Sequence, residues 1–468
     1  MSDEIFYSFR GKILKRDDKD FIIVIWPDIP FYLALPKEYQ NFIEKIIFTK
    51  FEYKNIQDFL IDERNMKIFN YLIENKIVSK VPHQIGKPFY DNIRQLYYIS
   101  LQVTKQCNLR CKHCYASAGE ANENELSTDQ LIELIEKASS FSETKECNFI
   151  ITGGEPFTRK DILSIINFAM SRFKNVVVIT NGLLLSENLI KELSKIENLT
   201  LQVSLDGAKR ETHEYLRGEG TYDKLLWNIE RLISNNIKVA WSPICTENFF
   251  DEIDEYFELA KKLKVHTVQL QPVQYIGRAL TDKSIRRVNS KKIISKIVEY
   301  YFDEDYNSLI KNGLESKSII HVRNLNRLHS CGTGHGTMYI KSNGDIFSCP
   351  NMAHDKYIIG NALKDDIKDL YYNSPIYKEL RSFDVNKDFG ESCMNCEVKH
   401  FCGGGCRGVC LANRDNLYGK AIECNSLKMY FTEIIWEVCE HREFFKEEAE
   451  RWLKSKRNLV KGGEYDRQ

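Results

Sequence analysis

Between about residues 97 and 300, short apolar runs alternate with stretches whose apolar residues recur at helical spacing. The runs are Tyr98–Thr104, Cys147–Thr152, Val176–Thr180, Thr200–Ser204, Lys238–Ile244 and Thr267–Pro272. Helical patterns lie between them near Thr128–Ser140, Lys160–Arg172, Glu187–Lys195, Tyr222–Asn235 and Phe250–Leu263. Apolar strands separated by amphipathic helices predict a parallel α/β sheet. Six such units fit an open, partial (β/α)6 barrel, where chemistry gathers at the C-terminal ends of the strands.

The flanks follow other patterns. The first ninety-five residues open β-rich, with Phe6–Leu14 and Phe21–Trp26, and continue into helical stretches at Lys37–Ile47, Asn55–Ile61 and Met66–Glu74. A short strand at Lys76–Lys80 follows, which together suggests a small winged-helix-like unit. Pro82, Gly86 and Pro88 mark Pro82–Asn92 as a linker. Beyond residue 330, Met338–Ile340 and Ile346–Ser348 flank Asn343-Gly344, a pair that readily turns a hairpin. The chain is thus expected to divide into domains at 1–92, 93–310 and 311–468.

Charge and composition narrow the functional class. The 468 residues carry 66 Lys+Arg and 66 Asp+Glu, so bulk attraction to nucleic acid or to an anionic membrane is not expected. The start, Met1-Ser2-Asp3-Glu4-Ile5, lacks the basic flank and apolar run of a signal peptide, and no apolar stretch approaches membrane-spanning length. With 14 cysteines in a chain of this kind, metal binding is favoured over disulfides and a cytoplasmic location is expected.

Three of the cysteines directly follow the first predicted strand, in Cys107-Asn-Leu-Arg-Cys111-Lys-His-Cys114. This spacing puts three thiolates on one tight loop, suited to three corners of a [4Fe–4S] cube with its fourth iron open. A structural zinc would need a fourth ligand, and His113 lies inside the loop where it would strain a tetrahedral site. After the second strand comes Gly153-Gly154-Glu155-Pro156, where paired glycines permit close approach and Glu155 offers a carboxylate to an ammonium group. The fourth strand ends in Ser204-Leu205-Asp206-Gly207, with Arg217 on the following loop. A hydroxyl and a guanidinium converging there could hold a carboxylate, against a plain Asp-Gly turn and a surface arginine. Thr180-Asn181-Gly182 reads as a turn, and Gln271 as a contact to adenosine or substrate.

A second cysteine system follows: Cys331-x12-Gly344-x4-Cys349, then Cys393-x2-Cys396-x5-Cys402-x3-Cys406, then Cys424. Cys410 is a nearby spare, while Cys147, Cys245 and Cys439 stand on apolar elements and read as core residues. Zinc knuckles are the simpler alternative for the clustered set.

The first loop resembles the signature of radical S-adenosylmethionine (SAM) enzymes, and the later cysteines resemble the SPASM domain that extends some of them. The likeness implies a SAM-binding [4Fe–4S] cluster on Cys107, Cys111 and Cys114, with SAM contacted by Gly153, Gly154, Glu155, Ser204 and Arg217. It implies two auxiliary [4Fe–4S] clusters, the outer on Cys393, Cys396, Cys402 and Cys424, the inner on Cys331, Cys349 and Cys406. Some members add an eighth cysteine soon after the position of Cys331. Gly332–Ser348 contains none, so the inner cluster has an open iron unless Cys410 serves. The N-terminal unit resembles PqqD-like elements, which bind leader peptides by strand addition to a sheet edge.

These likenesses imply a maturase of a ribosomally synthesised precursor peptide, supplied with electrons by a flavodoxin or ferredoxin. A thioether between a cysteine sulfur and a carbon is the expected product, with carbon–carbon cross-linking or peptide decarboxylation as alternatives. Sulfatase maturation is a lesser option, because Pro350 stands where that group carries an aspartate after the second SPASM cysteine. A non-catalytic Fe–S scaffold is the contrasting class.

Overall fold

The computed structural model describes residues 4–83, 96–141, 147–311, 314–325 and 328–441. From residue 84 onward, the expected linker lies outside the described residues.

The N-terminal unit contains β1 (Ile5–Ser8), β2 (Lys12–Leu14), β3 (Phe21–Trp26), β4 (Phe31–Pro36), β5 (Lys50–Glu52) and β6 (Val78–Ser79). They form two three-stranded antiparallel sheets, ordered β5-β1-β6 and β2-β3-β4. The expected helix at Lys37–Ile47 is a 3-10 turn followed by the helix Gln40–Ile46, whereas Asn55–Ile61 holds only two separate 3-10 turns. β4 and β5 were not legible in the sequence: β4 is apolar at nearly every position and β5 is short, so neither shows a clean alternation.

Strand β3 explains how this unit is attached. Ile22, Val24 and Trp26 enter the unit's own core, while Ile23 and Ile25 enter the large core shared with the rest of the chain. Its second face meets the helix Cys424–Glu440, where the Phe21 and Trp436 rings stand 5.3 Å apart and Arg16 pairs with Glu433. The unit therefore sits against the cysteine-rich C-terminal region.

The predicted strands of the middle region are β7 (Tyr98–Gln102), β8 (Asn148–Thr152), β9 (Asn175–Thr180), β10 (Thr200–Val203) and β11 (Lys238–Trp241), then β12 (Ile244–Cys245), β13 (Thr267–Val268) and β14 (Gln271–Pro272). β7 through β11 and then β13 lie side by side in sequence order, all parallel. Two predicted strands are split, the fifth at Pro243, which cannot donate to a ladder. β12 and β14 pair separately as a parallel continuation. Ile99, Leu101 and Phe149 point into the core beneath Leu131, Leu134, Ile165 and Ile166 of the outer helices. Alternation turns Ser100, Gln102, Ile150 and Thr152 to the inner face of the open barrel.

β15 (Thr337–Ile340) and β16 (Asp345–Phe347) form the expected hairpin, with Gly344 at φ +88° in the turn, and β17 (Gly360–Asn361) pairs beside them. β15 runs parallel to β7 and extends the barrel sheet, with Tyr339 opposite Ser100 on the inner face. The second cysteine system is thus anchored to the edge of the first. Cys147, Cys245 and Cys439 are buried in the main core.

Candidate active site

The cysteine loop leaves β7 and is closed by Cys107 N–H donating to Gly119 O at 2.8 Å and Gly119 N–H to Lys105 O at 3.1 Å. The Gly-Gly-Glu segment lies directly beneath it. Gly154 N–H donates to Thr104 O at 2.7 Å and Glu155 N–H to Gln106 O at 2.8 Å. A Cβ on Gly153 would stand 2.8 Å from Thr104 O, and one on Gly154 would collide with the carbonyls of Lys105 and Gln106. The close approach that these glycines permit is therefore to the cysteine loop itself.

Glu155 is fully buried. Its carboxylate accepts from Thr180 Oγ1 (2.8 Å), Asn181 N–H (2.7 Å) and Phe157 N–H (3.1 Å). Burial pushes it up to about 7, against the pull of those donors. Thr180-Asn181 is more than a turn: Glu155 holds it so that the Asn181 amide reaches Asn108 Oδ1 at 2.8 Å and stands 4.0 Å from Cys107 Sγ.

Arg217 is the last residue of a helix, Arg210–Arg217, and not part of a loop. The sequence hides this helix because only His213 and Leu216 of it are buried. Arg217 Nε donates to Asp206 Oδ2 at 2.6 Å, while Nη1 lies 3.8 Å from Cys111 Sγ and Nη2 3.3 Å from His113 Nε2. Asp206 is likewise no surface turn residue: it is fully buried and also accepts from Ile244 N–H at 2.9 Å. Burial alone would raise its carboxyl, but the Arg217 guanidinium, together with His113, His213 and the Ile244 N–H, holds it below the ordinary range. Ser204 follows β10 with its N–H on Thr180 O at 3.3 Å, and half-buried Gln271 opens β14.

Two contributions escaped the sequence reading. Arg278 follows the sixth barrel strand and clamps the cysteine loop: Nε donates to Cys111 O at 2.7 Å, Nη1 to Ala118 O at 2.9 Å and its own N–H to Cys114 O at 3.1 Å. Gly277, at φ +60°, packs against the carbonyls of Cys114 and Tyr115. On the inner face, the Tyr115 hydroxyl lies near Thr152 and Tyr339, so the cysteine loop comes close to β15. Gly277-Arg278 after a predicted strand was the available signal for the clamp.

The remaining cysteines lie in two neighbourhoods. Cys393, Cys396, Cys402 and Cys424 line one cavity with Lys399 and Lys428. Cys331, Cys349 and Cys406 sit close enough for their thiols to interact electrostatically, and Asn351 Nδ2 donates to Cys406 Sγ at 3.4 Å. Burial pushes the thiols of Cys107, Cys111, Cys331, Cys349, Cys393, Cys396 and Cys402 up. Among the described residues, no three Cys, His, Asp or Glu groups converge as ligands of a single metal ion must.

Between the two sets runs Gly403-Gly404-Gly405, with all three glycines in the left-handed region at φ +60°, +77° and +72°. Fully buried Arg407 binds the carbonyls of Gly404, Leu417 and Gly419 and lies 4.1 Å from the Phe389 ring centroid. A Cβ on Gly404 would strike that ring. Left-handed strain and overpacking together should cost about 2–5 kcal/mol. Gly404→Ala is therefore expected to empty both auxiliary sites, leaving roughly a third of the iron. Iron per chain after reconstitution checks this.

The N-terminal unit grips the outer set. Lys12 Nζ donates to Asn395 O at 2.7 Å and pairs with Glu397 at 3.3 Å, and buried Lys399 joins Asp28 at 3.0 Å.

The family models for the radical SAM superfamily and for the iron–sulfur cluster-binding SPASM domain match residues 101–260 and 331–397. The chain is 27% identical over 340 residues to the mycofactocin maturase MftC of Mycolicibacterium smegmatis, covering 70% of this chain and 82% of that protein. It is 28% identical over 329 residues to an AdoMet-dependent heme synthase of Methanosarcina barkeri, covering 66% and 90%. Its fold is similar to that of Streptococcus suis SuiB bound to S-adenosylmethionine (TM-score 0.60, 17% identity, 89% of this chain and 99% of that one). It is also similar to anSMEcpe with bound AdoMet (TM-score 0.60, 18% identity, 75% and 100%). The chain belongs to the radical SAM superfamily and carries a SPASM domain. It is a radical SAM enzyme, with a SAM-binding [4Fe–4S] cluster, auxiliary clusters and SAM as its cofactors.

Proposed function

We propose that this enzyme matures a ribosomally synthesised peptide by closing a thioether between a cysteine sulfur and a carbon. The observation that carries this reading is the inner auxiliary set. Cys331, Cys349 and Cys406 interact with one another beside a hairpin that forms part of the barrel's inner face. A cluster held by three protein thiolates keeps one iron for a substrate thiolate, which iron in such clusters prefers. Cys410, fully buried one helical turn beyond Cys406, is the residue whose ligation would close that position.

When bound, SAM and its cluster supply the deoxyadenosyl radical that takes hydrogen from carbon. The chain's own residues position and shield. Cys107, Cys111 and Cys114 hold the cluster, Gly153, Gly154 and Glu155 brace the loop, and Ser204 and Arg217 contact SAM. Cys393, Cys396, Cys402 and Cys424 would hold the outer cluster, which would supply an electron path.

The peptide substrate is supported by the likeness to a mycofactocin maturase and by the fold shared with SuiB bound to precursor peptide SuiA. Residues 1–92 would recognise a leader, 93–310 form the radical core and 311–468 carry the auxiliary clusters. A flavodoxin or ferredoxin would deliver electrons in the cytoplasm. No helix among the described residues is long and apolar enough to cross a membrane. Pro350 after Cys349 disfavours sulfatase maturation.

Co-expression with a short cysteine-containing open reading frame beside the gene tests the reading. The expected product is lighter by two hydrogens, with one cysteine no longer alkylated. The same mass loss with every cysteine still alkylated would replace the thioether by a carbon–carbon link, and loss of carbon dioxide would indicate decarboxylation. Excess synthetic leader should inhibit modification of the full-length precursor without slowing SAM cleavage. The intact chain is needed for this, because removing residues 1–92 would bare Trp436 and the outer cysteine loop.

A further inference from the structure

Arg407 is a buried charge that the assigned roles leave without a use. It follows Cys406 of the inner set, opens the helix Arg407–Arg414 and is fully buried. The chain joining the outer set to the inner one is Cys402-Gly403-Gly404-Gly405-Cys406, and the guanidinium folds back against it. Nε donates to Gly405 O at 3.3 Å, Nη2 to Gly404 O, and Nη1 to Leu417 O and Gly419 O at 2.8 and 2.7 Å. Gly403 packs beside Cys331, since a Cβ there would stand 2.5 Å from Ser330 O and 3.2 Å from the Cys331 nitrogen. The positive charge thus sits on the short bridge between the two sets.

Its partners among the described residues are carbonyl oxygens and the Phe389 ring, 4.1 Å away. Carbonyls satisfy its N–H donors but bring no net charge, and a buried ion without a counter-charge is costly. The lysines lining the outer cavity differ: Lys399 pairs with Asp28 at 3.0 Å and Lys428 with Glu397 at 2.7 Å. For Arg407 the available anions are the sulfurs. Burial raises the thiols of Cys331 on one side and Cys393 on the other, and the Arg407 charge works against that rise at each. Clusters held by thiolates carry net negative charge, which grows on reduction and helps to set their potential.

We infer that Arg407 is the shared counter-charge of the two auxiliary clusters and raises the reduction potential of both. This rests on the assignment of the two cysteine sets to those clusters. It gives the electron of the proposed reaction a destination. A thiolate and a carbon radical form a thioether with one electron in excess, and a cluster beside a fixed cation is the better acceptor.

Arg407→Gln and Arg407→Lys separate charge from hydrogen bonding, because both side chains can donate to the bridge carbonyls and only lysine keeps the charge. Reduction of the reconstituted holoenzymes can be followed by EPR against potential, with the SAM cluster signal identified by its change on adding SAM. Arg407→Gln should make both auxiliary clusters about tenfold harder to reduce, a fall of about 59 mV for one electron. Arg407→Lys should stay close to the unaltered enzyme, and the SAM cluster should shift in neither variant. Unchanged potentials in an iron-replete Arg407→Gln, a shift confined to one auxiliary cluster, or the same shift in both variants would overturn the inference. If Arg407→Gln binds too little iron to titrate, auxiliary clusters retained by Arg407→Lys uphold the counter-charge, and their loss from both variants overturns it. An unaltered enzyme without auxiliary signals would overturn the cluster assignment as well, whereas signals that do not shift would leave that assignment standing. The titration needs no peptide, so its result is independent of whether a thioether is the product.

Discussion

Replacing Cys107, Cys111 and Cys114 together by alanine should abolish formation of 5′-deoxyadenosine and remove roughly a third of the bound iron. Both effects are expected because the auxiliary thiols come from distant segments and depend on the loop for no ligand. The loop is held by backbone contacts from Gly154, Glu155 and Arg278, none of which needs the sulfurs, so the fold should persist. Anaerobic reconstitution, iron analysis and chromatographic assay of 5′-deoxyadenosine check the prediction. Residual 5′-deoxyadenosine from the triple variant would mean that this loop is not the SAM cluster site.

Asp206→Ala should be nearly as damaging, although Asp206 touches neither a cluster cysteine nor any residue assigned to bind SAM except Arg217. The substitution leaves the Arg217 guanidinium buried without its carboxylate, and breaking such a pair costs about 3–5 kcal/mol. Arg217 would swing away from Cys111 or carry an uncompensated charge beside it. The expected readouts are a lowered melting temperature of the holoenzyme and weakened SAM binding, with the auxiliary iron retained. The sign of the pH dependence follows from the depressed carboxyl. Its stabilising contribution is complete above the unfolded value of about 3.9 and is lost as pH falls through the lower folded value. The gap between the variant and the unaltered enzyme should therefore stay constant through neutral pH and close only in strong acid. A gap that varies between pH 6 and 8 would place the titrating group elsewhere.

The central sheet and the cysteine systems were legible in the sequence because they are written locally. Strand and helix periods depend on neighbours within a few residues, and all six barrel strands appear where the apolar runs stand. The C-x3-C-x2-C loop and the later cysteine spacings are likewise properties of the covalent chain. The winged-helix expectation for the N-terminal unit missed two strands, because β4 has no clear period and β5 is too short to show one.

What only the tertiary structure decided is which polar groups meet across the chain. Asp206-Gly207 and Asn181-Gly182 carry the same signals as solvent-exposed turns, yet one ends as a buried partner of Arg217 and the other as a brace beside Cys107. Arg278 meets the cysteine loop from 167 residues away, and Lys12 meets the outer cysteine loop from 383. No local period encodes such contacts. They exist because a buried charge or amide must find a partner wherever the fold brings one, and the strand order of the sheet sets where that is. The three loop cysteines were determined by the sequence alone. The charge beside them, the clamp above them and the domain resting on the outer cysteine loop were determined by folding.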